Sequence, residues 1–239
     1  SDMVLTNSFG ANRFMLTKYG HGDRVKEFNR LAAELARSQA PQDCFVIGSV
    51  GPSGEFLQPL GEVSGAEMLE AFTEQIMALE EGGADGIIIE TMTALEEASL
   101  AIQAAKENTG LAVISTMVFD KGPRGFFTMM GVTPEQAVTG LLEAGADVVG
   151  SNCGNGIDIM LEVATAMRAA TSAPLLIHSN AGIPTLVKGE IVYPESSEYM
   201  AERFKALAEM GVNIVGGCCG TGAEHIRALR ASVASLVRQ

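Results

Sequence analysis

Seven short apolar runs punctuate the chain: Met3–Ser8, Cys44–Val50, Asp85–Glu90, Leu111–Val118, Asp147–Gly150, Pro174–His178 and Asn213–Gly217. Rich in Val and Ile, they are continuous rather than alternating, as in strands buried on both faces of a parallel sheet. Between them apolar residues recur at helical spacing, as in Val25, Phe28, Leu31, Ala32 and Leu35, and again in Leu69, Phe72, Ile76 and Leu79. Helix starts are marked. Ser64-x-x-Glu67, Thr93-x-x-Glu96, Thr133-x-x-Gln136 and Thr221-x-x-Glu224 each predict a capping box, and Pro134 suits a first helical turn. Alternation of strand and helix along the whole chain predicts βαβ units in a single domain over residues 1–239, without an interdomain linker.

An internal repeat narrows the fold. Glu81–Glu90 (EGGADGIIIE), Glu143–Asn152 (EAGADVVGSN) and Glu209–Cys218 (EMGVNIVGGC) each read as a helix end, a terminating glycine, a short turn and a strand. The copies start 62 and 66 residues apart. At about 30 residues per βα unit, each step skips one strand. This periodicity predicts an α/β fold of the (β/α)8 TIM barrel type, with a doubly wound open sheet as the alternative sharing the same local pattern. Aligning the copies puts Glu90, Asn152 and Cys218 at one register, at the carboxyl ends of their strands, where barrel active sites form. Glu90, Asn152–Cys153 and Cys218–Cys219 are therefore expected to converge on one rim.

Composition excludes some partners. The 239 residues carry a formal net charge of −13, which argues against nucleic acid or an anionic membrane as the main partner. No apolar stretch approaches the roughly 20 residues of a membrane helix, and Ser1–Gly10 lacks the pattern of a secretory signal. Four cysteines, two of them adjacent, make a poor disulfide framework. Reduced thiols in a cytoplasmic setting fit better, and there clustered cysteines point to metal or catalysis.

Cys153, Cys218 and Cys219 together suit Zn²⁺, because a catalytic zinc takes three protein ligands and keeps a fourth position open. Buried inert cysteines or a disulfide are the alternatives. Cys44 begins a strand and is expected in the core at the opposite end. Glu90 closes an apolar run, where a carboxylate needs a partner; a substrate ammonium is the functional reading and a rim salt bridge the structural one. His178 and Asn180 end the next-to-last strand, the first read as structural, with either able to supply a weak fourth ligand or a hydrogen bond. Asn7 and Ser8 end the first run and are expected to reach the rim. Met129-Met130 read as pocket wall or packing. Gly216-Gly217 and Gly220-Thr221-Gly222 could cradle a phosphate at a helix start, but the cysteines between them favour metal.

Gly216-Gly217-Cys218-Cys219-Gly220, with Asn152-Cys153-Gly154 upstream, resembles the homocysteine S-methyltransferase family, which includes the homocysteine-binding module of cobalamin-dependent methionine synthase and betaine–homocysteine methyltransferase. Thr6–Arg13 (TNSFGANR), Gly48-Ser49-Val50-Gly51-Pro52 and Ile89-Glu90-Thr91 look like further family blocks, and the similarity runs over essentially the whole chain. The resemblance implies an enzyme, a zinc-bearing barrel that methylates homocysteine sulfur to give methionine. It matches Cys153, Cys218 and Cys219 to the zinc ligands and Glu90 to the carboxylate that holds the homocysteine amine. Asn7 and Ser8 match the segment that meets the homocysteine carboxylate. Asn180 matches a position that ligates zinc when no substrate thiol is bound. The family's first strand, with its Asp–Gly motif, has no counterpart here, so the first βα unit of the barrel is expected to be missing from this chain. Thr91 stands where betaine-using enzymes carry a tyrosine, which places the sequence closer to the methionine synthase module. The implied partners are homocysteine and a methyl donor, either a small molecule such as S-methylmethionine or betaine, or methylcobalamin on a corrinoid protein; a homo-oligomer is left open. A non-catalytic or redox-sensing zinc-thiolate domain is the alternative outside enzymes, and a hydrolase using zinc-bound water a weaker one within them.

Overall fold

The computed structural model describes residues 1–234 and 236. It divides into two compact units, Ser1–Ser115 with Gly140–Asp147, and Thr116–Thr139 with Val148 onward. All seven predicted strands are present. In the first unit β1 (Met3–Leu5), β2 (Phe45–Val50), β3 (Gly86–Met92) and the start of β4 (Ala112–Met117) follow one another in sheet order. β1 runs parallel to β2 with Val4 opposite Val46, and β2 parallel to β3 with Ser49 opposite Ile88. The helices are α1 (Arg13–Lys18), α2 (Val25–Gln39), α3 (Gly65–Glu81) and α4 (Leu95–Asn108). Phe72, Ile76 and Leu79 of α3 and Ile87–Ile89 of β3 are fully buried. β1 is shorter than its apolar run, so Asn7 and Ser8 lie in the loop beyond it.

In the second unit a hairpin, β5 (Asp120–Gly122) with β6 (Gly125–Phe127), precedes α5 (Pro134–Glu143), whose last turn belongs to the first unit. β7 (Val148–Asn152), β8 (Leu175–Ser179) and a strand over Ile214–Gly217 are parallel, with Asn152 opposite His178 and Gly217 opposite Ser179. A second hairpin, β9 (Thr185–Val187) with β10 (Glu190–Val192), makes the Ile214–Gly217 strand β11. The helices are α6 (Ile157–Ala170), α7 (Ser197–Glu209) and α8 (Ala223–Val233). No helix among the described residues is long and apolar enough to cross a membrane.

The three repeats share one backbone device. Gly83, Gly145 and Gly211 all have positive φ, and the N–H of Ala84, Ala146 and Val212 each closes onto the carbonyl five residues back, which is a Schellman ending. One residue further on, Asp85, Asp147 and Asn213 each accept, through a side-chain oxygen, the N–H of Val46, Val113 and Leu175 at 2.7, 2.8 and 3.0 Å. The same three residues donate their own N–H back to the carbonyls of Val46, Val113 and Leu175. Asp85, Asp147 and Asn213 thus clamp the starts of β2, β4 and β8, each from the residue that leads into its own repeat's strand.

Some local expectations are corrected. Ser64 and Thr133 cap as predicted, with reciprocal bonds to Glu67 and Gln136. Ala94, not Thr93, precedes α4. Gly222, not Thr221, precedes α8, because the Thr221 hydroxyl donates instead to the Cys218 carbonyl. On α2 the buried positions are Val25, Asn29 and Ala33, whereas Leu31 and Leu35 face out. Met129 and Met130 are exposed rather than packed.

Candidate active site

The three cysteines that could hold a metal ion come from the carboxyl ends of β7 and β11. Cys153 follows β7 with φ 63, a left-handed conformation uncommon for a side chain with a Cβ. Its N–H is held by the His178 carbonyl at 3.0 Å, and its own carbonyl accepts the Asn155 N–H. Cys218 continues β11, donating its N–H to the Ser179 carbonyl at 2.7 Å. Cys219 turns away, its N–H donating to Asn180 Oδ1 at 3.1 Å and its carbonyl accepting the Ala181 N–H at 2.9 Å. Gly220 has φ +80, and a Cβ there would fall 2.1 Å from the Tyr193 ring. Glycine is required for that turn.

The three sulfurs lie within 4.8 Å of one another, and Cys153 and Cys219 Sγ are 3.8 Å apart. Three thiolates on a tetrahedral ion at about 2.3 Å would stand about 3.8 Å apart, so the donor set and its spacing fit zinc. All four cysteines are free thiols, and Cys44 is buried beside β2 as expected. The trio is electrostatically uneven. A hydrogen bond from Cys218 draws the Cys153 thiol down to about 5, helped by the Gly154 N–H, Cys219 and Asn180. Cys218 is pushed up by the same pairing and by burial, and Cys219 by burial and the neighbouring Cys153 charge.

Two asparagines flank the sulfurs. Asn152, fully buried, accepts the Thr116 hydroxyl at Oδ1 (2.7 Å) and turns its Nδ2 to Cys218 Sγ at 3.9 Å. Asn180 has its carbonyl oxygen on the Cys219 N–H and its amide on Cys153. His178 is held neutral, its pKa lowered to about 4 by desolvation. Tyr193 hydrogen-bonds Cys219, and burial together with the cysteine charge raises its pKa.

In the first unit Glu90 ends the apolar part of β3 and is 7% exposed. Ser49 Oγ donates to Glu90 Oε1 at 2.5 Å. Ser49 is itself fixed, its N–H donating to Thr6 Oγ1 (2.9 Å) and its carbonyl accepting the Ser8 hydroxyl (2.7 Å). Because Ser8 uses its one proton on that carbonyl, Thr6 donates in the 2.6 Å Thr6–Ser8 contact. Ser8 is thus a buried anchor, while Asn7 beside it is exposed. The loop after β2 is pinned by Glu97, whose Oε1 accepts both the N–H and the hydroxyl of Ser53 at 2.7 and 2.6 Å. Burial raises the Glu97 pKa and the Ser53 bonds oppose the rise. Thr116, Tyr193 and Glu97 escape a sequence reading because none stands at a register position of the repeat; Ser49 enters only within a family block, although a polar residue interrupting an apolar strand is a signal in itself.

The homocysteine S-methyltransferase family profile matches residues 1–233. The methionine synthase of Mycobacterium tuberculosis is 32% identical over 248 residues, covering 100% of this chain and 21% of the relative. That of Mycobacterium leprae is 30% identical, covering 98% and 20%. The chain thus spans about a fifth of the length of these curated relatives. The structure of the Escherichia coli homocysteine methyltransferase MmuM in its metallated form superposes with a TM-score of 0.77 at 20% identity, covering 97% of this chain and 79% of that one. The oxidized form of the same protein gives 0.76 at 21%. The likeness to these structures is one of fold; with the match over nearly its whole length, the chain belongs to the homocysteine S-methyltransferase family.

Proposed function

We propose that this chain transfers a methyl group to the sulfur of homocysteine, giving methionine, with a zinc ion held by Cys153, Cys218 and Cys219. The observation that carries the proposal is the sulfur spacing: three free thiols from two strand ends at the separation a tetrahedral ion requires. When bound, zinc supplies the Lewis acidity that keeps a thiol deprotonated at neutral pH. The substrate sulfur forms its bond to the methyl carbon as the donor keeps the pair of the bond that breaks; the thiol proton goes to solvent.

The chain's own residues bind and orient. Glu90, aimed by Ser49, receives the homocysteine ammonium. The Asn7–Ser8 segment meets the substrate carboxylate, with Ser8 as its anchor and Asn7 as the outward donor. Asn180 holds the Cys219 N–H and faces Cys153, beside the three sulfurs that it would join as a weak fourth ligand when no substrate thiol is bound. Free cysteines accord with a reducing, cytoplasmic setting. The methyl donor is either a small molecule or a corrinoid protein.

The test is methionine formation by zinc-loaded protein from homocysteine with methylcobalamin, S-methylmethionine and betaine in turn, alongside a zinc assay. Methionine from at least one donor, lost with zinc in Cys153→Ser, supports the proposal. Zinc bound with no turnover from any donor would refute it and favour a zinc-thiolate sensor.

A further inference from the structure

The candidate ligands stand on two separate loops, and one residue reaches behind both, with its side chain on one and its backbone on the other. Glu195 precedes α7. Its Oε2 accepts the Ile157 N–H at 3.0 Å, in the first turn of α6 and four residues past Cys153. Its backbone N–H donates to the Ala181 carbonyl at 3.0 Å, and the Ala181 N–H donates in turn to the Cys219 carbonyl at 2.9 Å. Its carbonyl lies 3.1 Å from His225 Nε2. The other ring nitrogen, Nδ1, accepts the Gly222 N–H at 3.1 Å, so Nε2 carries the proton and donates to Glu195. Gly222 is three residues past Cys219. From one residue, short hydrogen-bonded paths therefore run to the Cys153 loop, to the Asn180–Ala181 loop, and to both sides of Cys219.

The seat for this carboxyl is cut by glycine. A Cβ on Gly156 would lie 2.1 Å from Glu195 Oε1, and one on Gly182 would lie 3.1 Å from Glu195 Cγ. The helix N-terminus adds its dipole to the Ile157 bond.

We propose that Glu195 is a positioning residue for the metal centre, bracketing the Cys153 loop against the Cys218–Cys219 loop so that their sulfurs keep the spacing an ion needs. This rests on the reading of the trio as a zinc site. Both loops are rich in glycine, which leaves their backbones free to drift unless something outside the ligands fixes them. Outer partners of this kind commonly set metal affinity by about 10- to 100-fold. The bracket asks only for an acceptor at the Ile157 N–H, and glutamine supplies one.

Zinc affinity, measured by chelator competition, and the cobalt(II)-thiolate charge-transfer spectrum test this in the full chain, with the metal-free melting temperature as control. Glu195→Ala should bind zinc about 10- to 100-fold more weakly and shift the cobalt spectrum, while Glu195→Gln should stay near the parent on both. Gly156→Ala, which displaces the carboxylate but keeps it in the protein, should resemble Glu195→Ala and serves if that variant does not fold. Parent-like zinc affinity in Glu195→Ala or Gly156→Ala, or equal weakening in Glu195→Gln, would overturn the bracket alone. A parent protein that binds no zinc would overturn the metal site itself and the bracket with it.

Discussion

Ser49→Ala separates the role of Glu90 as a substrate anchor from its presence as a buried carboxylate. The substitution removes one hydroxyl and nothing else in the network, because the Thr6 and Ser8 bonds use the Ser49 backbone. The lost contact is short, 2.5 Å, between groups that are both buried. A hydrogen bond to a charged acceptor is worth about 1.5–3 kcal/mol, and about 1.4 kcal/mol is tenfold in affinity. Part of the loss falls on folding, since Glu90 Oε1 loses that donor with or without substrate. The remainder appears as misorientation of the carboxylate, and roughly tenfold weaker homocysteine binding is the expected result. Calorimetric titration of zinc-loaded protein with homocysteine reads this directly, with zinc stoichiometry unchanged. Glu90→Gln, which keeps an acceptor for Ser49 but drops the charge, should weaken binding more. If Ser49→Ala lowers the melting temperature yet binds homocysteine as the parent does, Ser49 only stabilises the fold and does not aim Glu90 at the substrate.

The remaining expectations concern metal, packing and pH. Cys153→Ser, Cys218→Ser and Cys219→Ser should each lose zinc by elemental analysis, whereas Cys44→Ser, altering a buried thiol beside β2, should retain it. Thr116→Val removes the donor that fixes the Asn152 amide; it should cost about 1–3 kcal/mol, read by denaturant unfolding, and move the cobalt(II)-thiolate band to lower energy as the N–H···S contact to Cys218 weakens. Glu97 has a folded-state pKa raised by burial, so its protonated form suits the fold: its contribution is fully present below the unfolded value and is lost as pH rises through the folded one. Glu97→Gln, which still accepts both Ser53 bonds, should therefore match the parent in acid and gain on it as pH rises toward neutral. A stability difference independent of pH would contradict that assignment.

Much of this was legible because the repeat couples hydrophobic pattern to chemistry. The seven apolar runs became seven strands, and the cysteines and Glu90 stand at or just beyond the ends of those runs. What escaped had weak local signals. The hairpins at Asp120–Phe127 and Thr185–Val192 have strands of three residues each, too short for a period to register. Leu31 and Leu35 suggested the wrong face of α2, because the buried stripe holds Asn29, whose amide donates to the Ala11 and Val25 carbonyls. The Thr221 cap failed because His225, three residues past Gly222, offers its ring nitrogen to that glycine. Asn180 could be placed near the cysteines from sequence, but not the engagement of its oxygen by the Cys219 N–H.

The clamps at Asp85, Asp147 and Asn213 act as the zero mark of a ruler. Glu90, Asn152 and Cys218 each stand five residues beyond their mark. Five residues is an odd count, and along an extended strand one residue more or fewer turns every later side chain to the opposite face. The chemistry at the far end is therefore insulated from substitutions in between, which leave the count unchanged, and acutely exposed to insertions and deletions there, which do not. Redesign of this scaffold can exchange the terminal residue of a strand freely so long as the distance from its clamp is conserved.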